Sequence, residues 1–163
     1  FLAVFWGGTP FAKKDLSLRA VLVGIGSALF LYGIFYLGNS VATFVFSFAS
    51  EQISAVYDFS SQGTAWAIFI VLFFITSPGE EIFWRGFLQG WAMERYGKYR
   101  GLVISALLYA GVHIVSGNFM LVMASLVAGF FWGYIYLKER NIIALIVSHS
   151  LWTVGIFVLF PVV

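Results

Sequence analysis

The fold of this chain is decided by residues 64–96, TAWAIFIVLFFITSPGEEIFWRGFLQGWAMERY. The stretch is longer than the roughly 20 apolar residues that a helix needs to cross a bilayer, and its central charges are Glu80, Glu81 and Arg85. Each such charge at the centre of a membrane helix costs about 2.5–3.5 kcal/mol. We therefore expect these three side chains to face protein or a water-filled cavity rather than lipid.

The composition extends this interpretation to the whole chain. Of its 163 residues 61% are hydrophobic and only 10% are charged, whereas a soluble domain carries roughly a quarter charged residues. The mean hydropathy of +0.96 exceeds what one soluble core could bury. We therefore predict an all-α polytopic transmembrane bundle, a single domain over residues 1–163 with its core motifs within 78–153. The sequence begins at Phe1 rather than Met, which leaves open whether residues precede it.

Two classes of function are excluded by what the chain lacks. It has no cysteine, so disulfides, thiolate catalysis and cysteine-ligated metals are ruled out. The net charge is only +2, and no basic patch with interleaved aromatic residues occurs, so no nucleic-acid partner is expected.

Five stretches are predicted to span the membrane. They run from about Leu18 to Phe48, Thr64 to Tyr96, Leu102 to Val115, Phe119 to Leu137 and Ile142 to Phe160. The segment from Glu51 to Gly63 is predicted to be a polar connection. With this span count, every Lys and Arg except Arg85 falls on one side: Lys13, Lys14, Arg19, Arg95, Lys98, Arg100, Lys138 and Arg140. Cytoplasmic loops are enriched in Lys and Arg, so we predict an integral protein of a bacterial cytoplasmic or organelle membrane with these loops on the cytosolic side.

The buried ionisable groups of three spans are predicted to meet. Counting about 1.5 Å of rise per helical residue, Glu80 lies roughly 21 Å from the Lys- and Arg-rich rim, His113 roughly 20 Å and His149 roughly 14 Å. These depths are similar enough to predict one site.

Two kinds of chemistry are open to that site. Glu81 and Arg85 are four residues apart and can pair on one helix face. Glu80 then remains available for metal binding or catalysis. Glu80, His113 and His149 could bind Zn²⁺ and keep a position for water. Alternatively, Glu80 could act as general base on water while the histidines orient it or stabilise the oxyanion. The residues by themselves do not decide between these two mechanisms.

The motifs around these residues resemble those of the CAAX-protease and bacteriocin-processing (CPBP) family of intramembrane endopeptidases. Its Glu-Glu-x-x-x-Arg motif matches residues 80–85, and its aromatic residue four before a histidine matches Tyr109 and His113. Its third motif is a histidine followed four residues later by Asn or Asp; His149 matches, but Thr153 stands at the second position.

This resemblance implies a role for each matching residue. Glu80 would activate the attacking water, Glu81 and Arg85 would support it, and His113 and His149 would complete the site. The family is described both as metalloproteases and as metal-free glutamate enzymes, so Zn²⁺ remains one of two possibilities. Tyr109 and Thr153 would be supporting residues.

We therefore predict an intramembrane endopeptidase that hydrolyses a peptide bond within or beside the membrane. Its expected partners are membrane lipid and a peptide or membrane-protein substrate. Because Thr153 is shorter than Asn and a poorer metal ligand, a catalytically silent scaffold, assembly factor or accessory subunit of a larger membrane complex is the alternative. A transporter is disfavoured, since the two halves lack the repeats and paired broken helices that transporters often have.

Overall fold

The computed structural model describes residues 15–60 and 63–162, and this part of the chain is helical throughout, without strands. The predicted rim residues Lys13 and Lys14 lie outside the described residues. The helices, numbered here in chain order, are α1 (Leu18–Val45), α2 (Ala49–Ser60), α3 (Trp66–Tyr96), α4 (Lys98–Val112, continued by a 3₁₀ turn His113–Ser116), α5 (Phe119–Glu139) and α6 (Ile142–Val154, continued by a π-helical stretch Gly155–Leu159).

Five of these helices are long and apolar enough to cross a membrane: α1, α3, α4 with its 3₁₀ turn, α5 and α6 with its π-helical stretch. This confirms the predicted all-α bundle and its five spans. The predicted bounds differ most at the start of α4, which begins at Lys98 rather than Leu102. That start is earlier because Gly97, with φ of 89°, ends α3 and lets the next helix begin at once.

Polar side chains fix where three of the spans begin. Ser17 accepts a hydrogen bond from the backbone N–H of Ala20, and Asn118 and Asn141 each accept one from the residue three positions on. Such N-caps satisfy backbone donors that a helix leaves free at its first turn. The short polar segments between apolar runs therefore define the helix starts directly.

The segment Glu51 to Gly63, predicted as a polar connection between two spans, is mostly helical, because its residues up to Ser60 belong to α2. Ile53, Val56 and Tyr57 have the spacing of one helix face and line a cavity inside the bundle. A segment of mixed polarity can thus fold as an amphipathic helix once an apolar surface is available to one of its faces.

Hydrogen bonds between chain-distant residues define the two ends of the bundle. At one end Arg19 of α1 pairs with Glu139 of α5 at 2.9 Å, and Asn141 donates to the carbonyl of Asp15. We call this the basic end, since the described Lys and Arg residues other than Arg85 lie in the helix ends and turns there. At the other end Asn118 donates to the carbonyl of Gln52 at 2.7 Å. We call this the α2 end.

Helix α3 is continuous but irregular. Two of its stretches are π-helical, Val71–Thr76 and Ile82–Gln89, and the five residues Ser77–Glu81 between them are α-helical. Local π-helical segments are frequent at functional sites. Here the second stretch begins directly after the two glutamates.

Candidate active site

A row of buried polar side chains runs along one face of α3. Ser77, Glu81, Arg85 and Gln89 follow one another at intervals of four residues, and each is at most 1% exposed. A polar group in an apolar interior must find a partner or destabilise the fold. The row therefore requires polar or aromatic partners on the neighbouring helices.

Glu81 has two such polar partners. Arg85 Nη1 lies 3.0 Å from Glu81 Oε1, as the four-residue spacing predicts. His149 Nδ1 of α6 lies 2.7 Å from the same oxygen. Because a carboxylate paired with arginine can only accept, His149 donates its Nδ1–H to Glu81, and its Nε2 is free to accept a proton or a hydrogen bond.

Glu80 has a different environment from its neighbour. Its side chain is 31% exposed, and its Oε2 accepts a hydrogen bond from the hydroxyl of Tyr109 at 2.9 Å. His149 Nε2 lies 3.9 Å from the same oxygen. Glu81 is thus a buried, paired carboxylate, whereas Glu80 is an accessible one with a hydroxyl and an imidazole beside it.

His113 lies at the end of α4, on the wall of the same cavity. Its Nδ1 is 2.8 Å from the backbone carbonyl of Tyr109, so Nδ1 is the donor and Nε2 carries the lone pair. Its ring packs edge-on against the ring of Tyr109, with centroids 5.2 Å apart. Tyr109 therefore contacts both Glu80 and His113.

The sequence-predicted residues lie around one cavity of about 370 Å³. Glu80, Tyr109, His113, His149 and Thr153 line it, whereas Glu81 and Arg85 lie behind the wall. Thr153 accepts a hydrogen bond from Ser77 at 3.4 Å, so its hydroxyl is tied to α3 at the position where Asn or Asp was expected. Apolar side chains of α1, α2 and α5 form much of the remaining wall.

The residues proposed as zinc ligands match a metal site in their donor atoms but not in their positions. Both imidazoles donate Nδ1–H to an oxygen and leave Nε2 free, as metal-binding histidines usually do. Among the described residues, however, no three His, Cys, Asp or Glu side chains are close enough to hold one ion. Glu80, His113 and His149 do not fit a metal in this arrangement, and no catalytic step below depends on one.

Sequence reasoning missed Trp132 of α5, which is fully buried. Its indole stacks on the imidazole of His149 with ring centroids 3.8 Å apart and planes 22° apart. Its Nε1–H donates to Ser148 Oγ at 3.1 Å, and the guanidinium of Arg85 lies 5.4 Å from its ring centroid. A tryptophan in an aromatic-rich membrane protein is typical of the lipid interface, so the sequence offered nothing to distinguish this one.

Gln89 was missed for a different reason. Its Nε2 donates to the carbonyl of Gly133 at 2.8 Å. This hydrogen bond joins α3 to α5 on the side of the site that is nearer the basic end. The four-residue spacing from Arg85 could have identified it, because Ser77, Glu81, Arg85 and Gln89 form one regular series.

The fold and the site together define a class: an integral membrane protein of five apolar helices with carboxylates and histidines around an internal cavity. The family model "Type II CAAX prenyl endopeptidase Rce1-like" matches residues 62–155, more than half of the chain. The chain belongs to this family, and the predicted resemblance is confirmed. No curated protein and no solved structure gave a match.

Proposed function

We propose that this protein is an intramembrane endopeptidase in which Glu80 is the general base that activates water. The observation that carries the proposal is the contrast between the two adjacent glutamates. Glu81 is fully buried and paired with Arg85, while Glu80 is partly exposed in a cavity that also contains His113 and His149. Membership of a CAAX-type membrane protease family supports the same activity.

In the proposed reaction a water molecule lies between Glu80 and His149, whose Oε2 and Nε2 atoms are 3.9 Å apart. Glu80 takes a proton from this water, and the oxygen attacks the carbonyl carbon of the scissile peptide bond. The tetrahedral intermediate then collapses, the C–N bond breaks, and Glu80 returns the proton to the leaving amine. The products are one new carboxylate and one new amine.

Glu81 and Arg85 act on this reaction through His149. Glu81 accepts the Nδ1–H of His149 at 2.7 Å, which fixes the tautomer and points Nε2 towards Glu80. Arg85 pairs with Glu81 at 3.0 Å and so holds this carboxylate in place. A carboxylate that holds an imidazole in one tautomer is a recurrent arrangement in hydrolytic sites.

The cavity also bears on the kind of substrate. Its wall is mostly apolar and carries a few polar groups, among them Glu80, Tyr109 and His149, as is usual for pockets that bind an apolar ligand in one orientation. We propose that the substrate is a peptide or membrane protein that places an apolar segment in this cavity. We further propose that the basic end faces the cytosol, since Lys and Arg are enriched in cytoplasmic loops.

The proposal is tested by reconstituting the wild type, Glu80→Ala and His149→Ala in liposomes with a library of apolar peptides. New peptide termini are detected by mass spectrometry, with and without a chelator. Cleavage by the wild type that is lost in both variants and persists with the chelator is the expected result. Loss of cleavage with the chelator would replace the metal-free mechanism by a metal-dependent one.

Absence of cleavage by the wild type, together with stable co-purification of another membrane complex, would overturn the proposal. It would favour a silent accessory subunit instead.

A further inference from the structure

The two imidazoles of the site present hydrogen-bond acceptors to the cavity. Both histidines donate Nδ1–H to an oxygen, so the Nε2 atoms of His113 and His149 carry lone pairs. An ionised Glu80 can likewise only accept. The negative oxygen that forms when water attacks a peptide carbonyl requires a hydrogen-bond donor. These three groups therefore cannot stabilise it in the states that the structure defines.

Tyr109 supplies a donor beside them. Its hydroxyl donates to Glu80 Oε2 at 2.9 Å, and the same oxygen lies 3.9 Å from His149 Nε2. The proposed attacking water lies between these last two atoms. The Tyr109 hydroxyl is therefore bonded to one of the two groups that hold the water.

Contacts with α3 and α5 fix the ring of Tyr109, which is only 6% exposed. The indole of Trp84 packs edge-on against it with centroids 5.3 Å apart, and the guanidinium of Arg85 lies 4.7 Å from its centroid. On α5, a Cβ on Gly129 would lie 3.2 Å from Tyr109 Cδ1, so the ring and this helix are in close contact. The hydroxyl is thus held in place before the reaction begins, as effective stabilisation of a developing charge requires.

We infer that Tyr109 stabilises the oxyanion by transferring its hydrogen bond from Glu80 to the carbonyl oxygen of the scissile bond. This inference rests on the proposed function and assigns a further catalytic residue to the same reaction. When Glu80 takes the proton from water, its carboxylate loses its charge and becomes the weaker acceptor. The π electrons of the substrate carbonyl move to the carbonyl oxygen as the new C–O bond forms, so that oxygen becomes the stronger acceptor.

The proton of Tyr109 stays on the phenol oxygen throughout this sequence. The carbonyl re-forms as the C–N bond breaks, and Glu80 gives the proton that it took from water to the leaving amine. Glu80 is then ionised again and recovers the hydrogen bond from Tyr109. The hydroxyl therefore follows the negative charge from Glu80 to the substrate and back.

Tyr109→Phe tests the inference, because it removes the hydroxyl and keeps the ring that contacts Trp84 and Arg85. It should lower kcat for peptide cleavage by about 10²–10³-fold, the usual cost of losing one oxyanion donor, and leave KM nearly unchanged. Tyr136→Phe is the matched control, since it makes the same change at a buried tyrosine of α5 that does not line the cavity. The control should keep the wild-type kcat, and thermal unfolding in detergent should show that both variants are folded.

A thioamide at the scissile bond separates stabilisation of the oxyanion from positioning of Glu80. Sulfur is a weaker hydrogen-bond acceptor than oxygen, so the wild type should cleave the thioamide more slowly than the matched amide. This rate ratio should shrink in Tyr109→Phe, because the two changes remove the same interaction and are not additive. An unchanged ratio would show that Tyr109 acts only through Glu80 and would overturn the inference. A ratio that shrinks in Thr153→Val instead would assign the donor to Thr153 and overturn it as well.

Glu80→Gln in the same assay distinguishes failure of this inference from failure of the proposed function. If Glu80→Gln is inactive while Tyr109→Phe has the wild-type kcat, the inference fails and the proposed function stands. If Glu80→Gln cleaves at the wild-type rate, or the wild type does not cleave at all, the proposed function fails and the inference fails with it.

Discussion

At the scale of single residues, Trp132 constrains the ring of His149 in addition to its hydrogen bond with Glu81. Its indole covers one face of the imidazole, and its Nε1–H is anchored on Ser148, which also accepts a hydrogen bond from Ser27 at 2.9 Å. Trp132 does not line the cavity. It is therefore a positioning residue that acts on the reaction only through the orientation of His149.

Trp132→Leu should lower kcat for peptide cleavage by about 10²-fold, the cost of misplacing a catalytic group by about 1 Å. KM should change little, because the substrate-binding wall is intact. Trp132→Phe keeps a flat ring and should retain most of the activity. The ¹⁵N NMR spectrum of the histidines, recorded in a His113→Gln background, should show that His149 loses its single tautomer in the leucine variant. A leucine variant with wild-type kcat would contradict this role.

The ion pair between Glu81 and Arg85 gives a second prediction at this scale. Arg85→Met should destabilise the protein by about 3–5 kcal/mol, because it leaves a buried carboxylate without its counter-charge. The double variant Glu81→Leu with Arg85→Met should recover stability but not activity, since His149 then lacks its acceptor. Thermal unfolding in detergent and peptide cleavage measure the two properties separately. Equal stability of the single and double variants would contradict the account.

How far the site could be predicted depends on how far apart in the sequence the residues of each contact lie. The Glu81–Arg85 pair follows from local spacing, and its prediction is confirmed. The bond from His149 to Glu81 joins residues 68 positions apart, so only their similar depth in the membrane pointed to it. The stack of Trp132 on His149 depends on how α5 packs against α6, which no local pattern encodes.

At the scale of elements, α1 and α6 pack closely where α1 has a glycine. A Cβ on Gly24 would lie 2.7 Å from Val147 Cβ and 2.8 Å from the carbonyl of Ala144. A Cβ on Gly26 would meet nothing within 4 Å. Small residues let membrane helices approach closely in this way, so the two glycines of one helix have different roles.

Gly24→Ala should therefore destabilise the protein by about 1–3 kcal/mol, the usual cost of overpacking. Its matched control, Gly26→Ala, should stabilise the protein slightly, because alanine is favoured over glycine in a helix by up to about 1 kcal/mol. The midpoint of thermal unfolding in detergent should thus move in opposite directions. Shifts of the same sign and size would indicate that α1 does not pack on α6 through Gly24.

Long apolar helices were the most predictable elements, and α2 was the least. Each of the five spans carries enough apolar residues to be recognised without knowing its neighbours. In contrast, α2 has 12 residues of mixed polarity, and isolated helices of that length are marginal in water. Its helical state depends on the surface that α1, α5 and the chain end provide, which the sequence of α2 alone does not contain.

At the scale of the whole molecule, three spans contribute one polar cluster to an otherwise apolar bundle. Glu80 Oε2 of α3 lies 2.9 Å from the hydroxyl of Tyr109 of α4 and 3.9 Å from Nε2 of His149 of α6. Such groups are costly in a bilayer. If these polar groups served only to hold the helices together, one or two hydrogen-bonded or ion-paired contacts would be enough. In this arrangement the carboxylate of Glu80 also remains accessible in a cavity.

The most direct test of the central claim is the kcat of Glu80→Gln on a peptide that the wild type cleaves. The amide oxygen can still accept the hydrogen bond from Tyr109, so the site should keep its shape while it loses its base. Glu94→Gln, an exposed change on the same helix, is the matched control. The account predicts that Glu80→Gln lowers kcat by about 10²–10⁴-fold, the usual contribution of a general base, and that Glu94→Gln does not. Cleavage by Glu80→Gln at the wild-type rate would contradict it.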